Sequence, residues 1–364
     1  MTSFLIVFLG KVRCDPALQT SYFFSPCLTA GNPPYQEDTQ AQGDRANPVY
    51  NQFIDASYVV ADKVELITPA RFLFNAGQTP KAWNRKMLND PHLKVMHYES
   101  DATKVFPNTD IKGGVAITYH DESKDYGAID TFTSYPELND IIHKVNNIEQ
   151  SRPRLNTIIA SQGLYRFSEK FFSEHPEIEG AQGAGTGAKI VSSVMPKLPT
   201  VFKTNAFEGA IRFLGRVGGK REYRYVDHSY IVENPYLDKY NLFLPEANNS
   251  GQFGETLTEP TLGFPNDGSA DTFLSAGQFE SETEPTNLCT YLKTKFFRAL
   301  LGIKKVTQHC PPSVWAMIPL QDFTENSDID WSKSIHEIDL QLYRKYGLDE
   351  NEIEFIETHV KEMA

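Results

Sequence analysis

The sequence contains little cysteine, no long apolar run and no excess of positive charge. Its four cysteines lie at positions 14, 27, 289 and 310 without a Cys-x-x-Cys pair. Neither a zinc site nor a disulfide framework is predicted, and a reducing, cytoplasmic environment is expected. The apolar run at residues 4–9 is too short to cross a bilayer and lacks a basic start, so neither a signal peptide nor a membrane anchor is predicted.

The charge balance restricts how the chain can bind nucleic acid. Asp and Glu number 47 against 35 Lys and Arg, which gives a formal charge of −12. A uniformly basic nucleic-acid binder is therefore excluded, and any DNA contact must be local. With 40% hydrophobic and 12% aromatic residues, the chain of 364 residues can form the cores of two domains.

The string Asn32-Pro33-Pro34-Tyr35 suits the methylation of an amino nitrogen. The lone pair of an exocyclic amine such as adenine N6 is delocalised into the ring, so the amine is a poor nucleophile until its N–H groups are held. The Asn32 side-chain oxygen and the Pro33 carbonyl can accept those two hydrogen bonds, and the Tyr35 ring can stack on the base. Two prolines stiffen the turn. An ordinary Pro-Pro loop with a packed tyrosine is the alternative.

The segments that follow this string have a characteristic order. A predicted helix at residues 47–62 precedes a strand (VELITPARFL), a polar helix (PKAWNRKMLN), a second strand (LKVMHYES) and a Val-Phe-Pro turn into a last strand, at residues 105–121. In this order and spacing, residues 28–121 resemble the catalytic domain of γ-type N6-adenine DNA methyltransferases, the TaqI-like group, and in particular the methylase part of type IIG restriction–modification proteins.

The resemblance implies roles for two further aromatic residues. Phe106 corresponds to the second aromatic residue of the base pocket, opposite Tyr35, where it would pack on the flipped adenine. Phe53 matches the helix position that lines the adenine end of S-adenosylmethionine. The resemblance therefore implies S-adenosylmethionine as the cofactor and double-stranded DNA as the substrate.

The cofactor site lacks the first half that the resembled family has. There, a strand, a glycine-rich loop and a helix precede the Asn-Pro-Pro-Tyr turn, whereas only 31 residues precede Asn32 here. The glycines at 183, 185 and 187 follow a charged segment and not a buried strand, which favours a flexible connector. The S-adenosylmethionine pocket is thus expected to be incomplete, and a complementing chain that carries the missing half is a candidate partner.

A basic segment reverses the overall charge between residues 189 and 224. The stretch AIRFLGRVGGKREYRYV predicts a β-hairpin around Gly218-Gly219, with Arg212 and Arg216 on one face of its first strand. Contact with DNA phosphates or a DNA groove is expected, and a solvated charged hairpin is the alternative. The predicted DNA-binding residues are Lys189, Lys197, Arg212, Arg216, Lys220, Arg221 and Arg224.

The rest of the chain alternates loops and helices. Gly, Asn, Pro and Thr are dense at residues 248–287, which indicates recognition loops or a poorly ordered insertion. Residues 292–306 predict a helix whose lysines and Arg298 face outward. A helix from Trp331 is expected to stop at Gly347, and a capping box that starts at Asp349 predicts a second helix.

Together these segments predict an α/β fold. The resemblance implies that it consists of the C-terminal half of a Rossmann-like methyltransferase sheet followed by a mixed α+β target-recognition domain. The predicted parts are a leader or truncated remnant (1–27), a partial methyltransferase catalytic domain (28–130), a target-recognition, DNA-binding domain (131–330) and a C-terminal helical tail (331–364).

Three functions are compatible with the sequence. The first is an adenine-N6 DNA methyltransferase of a restriction–modification system. The second is a recognition subunit of such a system that does not catalyse. The third is a protein-glutamine methyltransferase, which also uses Asn-Pro-Pro-Tyr. The Val-Phe-Pro turn and the long region after residue 121 disfavour the third.

Overall fold

The chain divides into two compact units, Met1–Asn139 and Asp140–Ala364. The computed structural model describes residues 28–37, 47–107, 109, 111, 113–178, 187–305 and 308–363 of them. The predicted leader at residues 1–27 lies outside the described residues. The functions assigned above to four segments stay predictions.

The first unit is built on a four-stranded mixed sheet. Its strands are β1 (Thr29–Gly31), β2 (Lys63–Pro69), β3 (Leu93–Glu99) and β4 (Val115–Asp121), in the order β1-β2-β4-β3. β1 pairs with β2 in parallel, and β4 runs antiparallel to both β2 and β3. The carboxyl ends of β1, β2 and β3 therefore lie at one end of the sheet.

Two helices, α1 (Tyr50–Val60) and α2 (Lys81–Leu88), contribute to the core of this unit. The alternation along β2 explains which face is buried, because Val64 and Leu66 join Tyr50, Ile54 and Met87 in one apolar cluster. The charged residues of β2 point the other way. The strands and helices predicted between residues 47 and 121 are confirmed, except that the strand expected at VELITPARFL ends at Pro69 and Ala70–Phe74 forms a 3₁₀-helix.

The second unit contains two three-stranded sheets and most of the helices. One sheet has the order β6-β5-β9 and the other β10-β7-β8. Its strands are β5 (Ala210–Val217), β6 (Lys220–Asp227), β7 (Tyr240–Pro245), β8 (Thr261–Gly263), β9 (Asp267–Ser269) and β10 (Phe273–Phe279). Its helices are α4 (Glu169–Glu174), α5 (Thr283–Lys293), α6 (Lys295–Lys304), α7 (Ile335–Tyr346) and α8 (Glu350–His359), and α3 (Pro136–Glu149) spans the boundary between the units.

The region at residues 248–287 is more regular than its composition predicts. It contains β8, β9, β10 and the first residues of α5. The partners of these strands are distant, since β8 and β10 pair with β7, and β9 pairs in parallel with β5. A three-residue strand carries almost no local signal, so turn-forming composition hides it. The alternative of a poorly ordered insertion is therefore wrong.

The basic stretch at residues 292–306 also differs from its prediction. Thr294 interrupts it and caps α6, with its hydroxyl accepting a hydrogen bond from the backbone N–H of Phe297. Arg298 and Lys305 were expected to face outward, yet they expose only 2% and 3% of their surface. Arg298 donates to the carbonyls of Glu255 and Lys293 at 3.4 and 3.2 Å. Distant partners of this kind make burial of a charged residue tolerable.

The C-terminal helices form largely as predicted. The first one begins at Ile335, after an N-cap at Ser334, and ends at Gly347, whose left-handed conformation (φ 64°) suits glycine. The Asp349 carboxylate accepts the backbone N–H groups of Asn351 and Glu352 at the start of α8, which confirms the predicted capping box.

Candidate functional site

The Asn-Pro-Pro-Tyr turn directly follows the carboxyl end of β1. Open α/β sheets bind ligands beside the carboxyl ends of their parallel strands. The turn is fixed to the start of α1, because the Val49 N–H donates to the Tyr35 carbonyl at 3.2 Å and the Glu37 N–H donates to the Asn47 carbonyl at 3.0 Å. These bonds fix the backbone of the turn from Tyr35 to Glu37.

Asn32 and Tyr35 each hold a buried polar atom without a hydrogen-bond partner among the described residues. These atoms are Asn32 Oδ1 and the Tyr35 hydroxyl. A buried polar atom is ordinarily hydrogen-bonded, and one without a partner costs free energy. Burial also raises the pKa of Tyr35, so its hydroxyl stays neutral and able to donate. Both atoms therefore have hydrogen-bonding capacity that no described residue uses.

Phe106 lies against Tyr35, as the resemblance implied. The two ring centroids are 6.2 Å apart and the ring planes meet at 73°, an edge-to-face contact. A base stacked between two rings requires roughly parallel rings, so this arrangement is not the sandwich that was expected. Phe106 is tethered through its backbone, with its N–H donating to the Ala102 carbonyl at 2.8 Å. A base could enter between the rings only after one of them turned.

Two more polar groups near this end of the sheet were missed by the sequence reasoning. Thr68 is fully buried at the carboxyl end of β2, and its hydroxyl has no partner among the described residues. Asn51 Oδ1, in the first turn of α1, is also buried and has no hydrogen-bond partner among the described residues. The sequence pattern that could have identified Thr68 is a threonine within an apolar strand, directly before Pro69.

Phe53, the predicted cofactor contact, lies on α1 with 38% of its surface exposed, whereas the neighbouring Ile54 exposes 1%. Single exposed apolar side chains are common on protein surfaces, so the role of Phe53 in cofactor binding stays a prediction. Gly183 and Gly185 lie outside the described residues, and Gly187 has a positive φ of 57° with open space around it.

The predicted hairpin is confirmed. β5 and β6 are joined by Gly218 and Gly219, whose φ angles of 56° and 81° match the turn that suits a two-residue hairpin loop. The register places Arg212, Arg216 and Arg221 on one face of the hairpin. Lys220 and Arg224 lie on the opposite face, so the seven predicted residues do not form one continuous surface.

Arg212 is already engaged within the protein. Its guanidinium donates two hydrogen bonds to the Asp267 carboxylate, at 2.8 and 2.6 Å, and lies 4.4 Å from the centroid of the Tyr223 ring. A bidentate pair of this kind is strong and directional. Contact with DNA would have to occur through the edge of the guanidinium that Asp267 leaves open.

The other basic residues differ in how available they are. Arg216 and Lys220 are exposed near the hairpin tip, and Arg216 stands directly opposite Arg221. Arg221 donates to the Thr261 hydroxyl at 2.8 Å and to the Glu259 carbonyl, which ties the hairpin to β8. Two arginines facing each other repel unless an anion lies between them.

The remaining predicted positions are spread over the second unit. Lys189 forms an isolated bridge with Arg166, and Lys197 is exposed at the end of a 3₁₀-helix, Ser192–Lys197. Arg224 pairs with the Glu222 carboxylate. Whether these residues contact DNA stays a prediction.

Two features are absent from the described residues. No helix there is long and apolar enough to cross a membrane. No group of three or more His, Cys, Asp and Glu side chains in that part of the chain is placed to hold a metal ion.

Comparison with known proteins gives one family for part of the first unit. Residues 29–106 match the model of the Eco57I restriction-modification methylase family, so this segment is similar to part of a restriction-modification methylase domain. The matched range includes Asn32, Tyr35, Phe53 and Phe106, and it lies within the residues 28–121 on which the sequence resemblance rests. No curated protein matches the chain.

Solved structures similar to the chain include two restriction enzymes. One is the type IIG restriction endonuclease BpuSI, at 11% sequence identity and a TM-score of 0.33, covering 92% of this chain and 53% of that one. Another is the type IIL restriction-modification enzyme MmeI in complex with DNA, at 10% identity and a TM-score of 0.32, covering 92% and 56%. The chain spans about half the length of each of them.

Proposed function

We propose that this protein is the catalytic and recognition part of a site-specific DNA methyltransferase that modifies adenine N6 in a restriction–modification system. The observation that carries the proposal is the buried Asn32 Oδ1, which has no hydrogen-bond partner among the described residues and lies in the turn after β1, within the range that matches the methylase family. An amino group has two N–H donors, and one of them would supply the hydrogen bond that this acceptor lacks.

The chemistry assigned to the turn is the preparation of a weak nucleophile. Adenine, flipped out of the duplex, would donate one N6–H to Asn32 Oδ1 and the other to the Pro33 carbonyl. Holding both N–H groups out of the plane of the ring would localise the N6 lone pair and make it nucleophilic toward a methyl carbon. The N–C bond would form as the bond between that carbon and a sulfonium sulfur breaks, with the electron pair left on the sulfur, and N6 would then lose a proton. Tyr35 and Phe106 would hold the base by stacking, after their edge-to-face contact opens.

S-adenosylmethionine would supply the methyl group. Phe53 would pack against its adenine end, since its ring is exposed on α1. β1 has no strand on its outer side among the described residues, which is where the resembled fold places the strand that binds the rest of the cofactor. We therefore propose that a complementing chain or segment supplies this strand and its glycine-rich loop.

Duplex DNA is the proposed substrate of the second unit. Arg216 and Lys220 are exposed at the tip of a β-hairpin, and a two-stranded ribbon fits the major groove of B-DNA. Cytoplasmic localisation would follow from such a substrate.

A recognition subunit that does not catalyse is the second candidate. The edge-to-face contact of Tyr35 with Phe106 favours it, because this contact leaves no slot for a base between the rings.

Methyl transfer to a long unmethylated DNA tests the proposal. The chain is mixed with the separately expressed cofactor-binding half of a methylase of the same family and with tritiated S-adenosylmethionine, and the nucleosides are then separated. Label in N6-methyldeoxyadenosine is expected. It should disappear with Asn32→Ala and persist with Asn89→Ala, a control at an exposed asparagine after α2.

The other outcomes discriminate between the candidates. Duplex binding without transfer supports the recognition subunit. Label in deoxycytidine or in protein glutamine contradicts the adenine assignment. Tight, stoichiometric binding of S-adenosylmethionine by the chain alone, measured by calorimetry, would contradict the complementing half.

A further inference from the structure

One segment of the first unit is basic, although the chain as a whole has a formal charge of −12. Residues 66–89 contain four Lys and Arg residues and no Asp or Glu. The four cations are Arg71, Lys81, Arg85 and Lys86, and all of them are exposed. A concentration of positive charge on an acidic protein attracts an anionic ligand.

Three of these cations have no acidic partner among the described residues. Lys86 pairs with Asp55, at 2.8 Å between Nζ and Oδ1. Arg71, Lys81 and Arg85 make no ion pair in the part of the chain that the structure describes. These three residues are called the basic surface below. Their charges are not neutralised within the protein, so they are able to bind an external anion.

The basic surface lies at the end of the sheet that carries the Asn-Pro-Pro-Tyr turn. β1 and β2 are parallel neighbours, so the turn at Asn32 and the segment after Pro69 both leave the carboxyl end of the sheet. Arg71 belongs to the 3₁₀-helix Ala70–Phe74, which directly follows β2. Ligands of open α/β sheets bind at this end.

A single turn connects Arg71 with Lys81. The Arg71 carbonyl accepts the Ala76 N–H at 3.0 Å, and the Lys81 ammonium donates to the Asn75 carbonyl. Arg85 follows Lys81 by four residues in α2, so both project from the same side of that helix. The three cations are therefore grouped around the start of α2.

The loop between β3 and β4 holds the Arg71 side chain in place. A Cβ on Gly113, in that loop, would lie 2.8 Å from Arg71 Cγ, and a Cβ on Gly77 would lie 3.2 Å from Arg71 Cβ. The aliphatic part of the arginine thus packs against two glycines, which orders the side chain before a ligand binds. The same loop carries Phe106, which contacts Tyr35.

The first turn of α2 favours an anion for a separate reason. No side chain caps this helix at Pro80, and its first turn contains no acidic residue. Lys81 is the first helical residue, so it adds a positive charge where the helix dipole is already positive, which is unfavourable. A phosphate at this position would relieve the repulsion and accept hydrogen bonds from the first N–H groups of the helix.

We propose that the basic surface binds phosphate groups of the DNA strand whose base enters the Asn32 turn. This inference rests on the proposed function, because it takes that turn as the site of the target base. The strand on either side of a flipped nucleotide must then pass over the carboxyl end of the sheet, where the basic surface lies. Arg71 and Arg85 can each bind a phosphate through two N–H groups. None of the three residues was predicted to bind DNA from the sequence.

Duplex binding at a series of salt concentrations tests the surface without methyl transfer. The full chain is titrated into a fluorescein-labelled duplex of mixed sequence, and binding is followed by anisotropy. Changing Arg71, Lys81 and Arg85 together to Ala should lower the slope of log K against log salt by about 3, since each phosphate contact contributes about 0.9. Changing Arg71 and Arg85 to Lys keeps both charges and should leave the slope close to that of the parent.

Lys63, Lys94 and Lys124 supply the matched control. Lys63 and Lys94 lie at the amino ends of β2 and β3, and Lys124 follows the carboxyl end of the antiparallel β4. All three are thus at the opposite end of the sheet. Changing them to Ala removes the same number of charges and should leave the slope unchanged. An unchanged slope in the first triple variant, or an equal fall in both, would overturn the proposal.

Failure of this proposal is distinguishable from failure of the proposed function. If Asn32→Ala abolishes methylation while the variant of the basic surface keeps the parent slope, the methylase assignment stands and the phosphate contact is wrong. If the slope falls as expected but adenine is not methylated, the phosphate contact stands and the methylase assignment is wrong. An unchanged slope together with weaker binding of the complementing half would assign the surface to a protein partner and overturn the proposal.

Discussion

The ion pair between Glu255 and Lys305 should dominate the response of the second unit to acid. Lys305 is almost fully buried, and the Glu255 side chain exposes 11% of its surface. Burial by itself raises the pKa of Glu255. The ammonium of Lys305 and hydrogen bonds from the Ser250 N–H and hydroxyl and the Gly251 N–H outweigh it and lower the pKa from 4.5 to about 2.

This pKa sets the size and the pH range of the effect. At about 1.4 kcal/mol per pKa unit, the ionised Glu255 contributes about 3 kcal/mol to the free energy of unfolding. The contribution is fully present above pH 4.5, the ordinary pKa, and is lost as the pH falls toward 2. Glu255→Gln should therefore cost about 3 kcal/mol at pH 7, as expected when one partner of a buried ion pair is removed.

Urea unfolding followed by tryptophan fluorescence measures this cost. In a Trp83→Phe background, the remaining tryptophans, Trp315 and Trp331, both report on the second unit. The difference between Glu255→Gln and its parent should shrink steadily below pH 4.5.

Glu259→Gln is the matched control for this measurement. Glu259 pairs with Lys293 at 2.8 Å, but 55% of its side chain is exposed. An exposed pair of this kind contributes about 1 kcal/mol or less. If both variants lose the same stability at pH 7, or if the loss from Glu255→Gln is independent of pH, the argument from the buried ion pair is refuted.

Three further predictions concern backbone strain, the candidate site and DNA contact. Gly254→Ala should cost roughly 3 kcal/mol or more in urea unfolding, because its Cβ would lie 2.1 Å from a carbonyl oxygen at the end of α8. Gly209→Ala, at a similar positive φ but in open space, should cost only about 1 kcal/mol, and equal losses would contradict the steric reason. Thr68→Val should leave stability unchanged or raise it, by up to about 2 kcal/mol, since the hydroxyl has no partner among the described residues; a clear loss would reveal a bond that the hydroxyl makes. Changing Arg216 and Lys220 together to Ala should weaken duplex binding and lower the slope of log K against log salt by about 2; an unchanged slope would exclude phosphate contact at the tip.

Local chemistry explains which elements could be predicted from the sequence. The hairpin at Gly218-Gly219, the stop at Gly347 and the capping box at Asp349 are each specified within a few residues, and all three are present. The strands and helices between residues 47 and 121 follow from hydrophobic periodicity and have the expected order.

Contacts between distant segments explain what could not be predicted. Asp267 binds Arg212 only because β9 pairs with β5, and Lys305 is buried because a loop 50 residues earlier provides Glu255. No local pattern indicates either partner. The Asn-Pro-Pro-Tyr turn could be found, since its chemistry is written in four adjacent residues, but the angle between the Tyr35 and Phe106 rings depends on tertiary packing.

The position of β4 inside the sheet has a consequence for how the first unit assembles. β4 is the last of the four strands in the chain, yet it lies between β2 and β3, which pair with it and not with each other. Until Val115–Asp121 has left the ribosome, β3 therefore has no strand to pair with, and β2 has only β1. Formation of this sheet must wait for long loops to close, which slows folding. During synthesis, the unpaired edges of β2 and β3 would be exposed together, so this interval is when the chain would most depend on a chaperone.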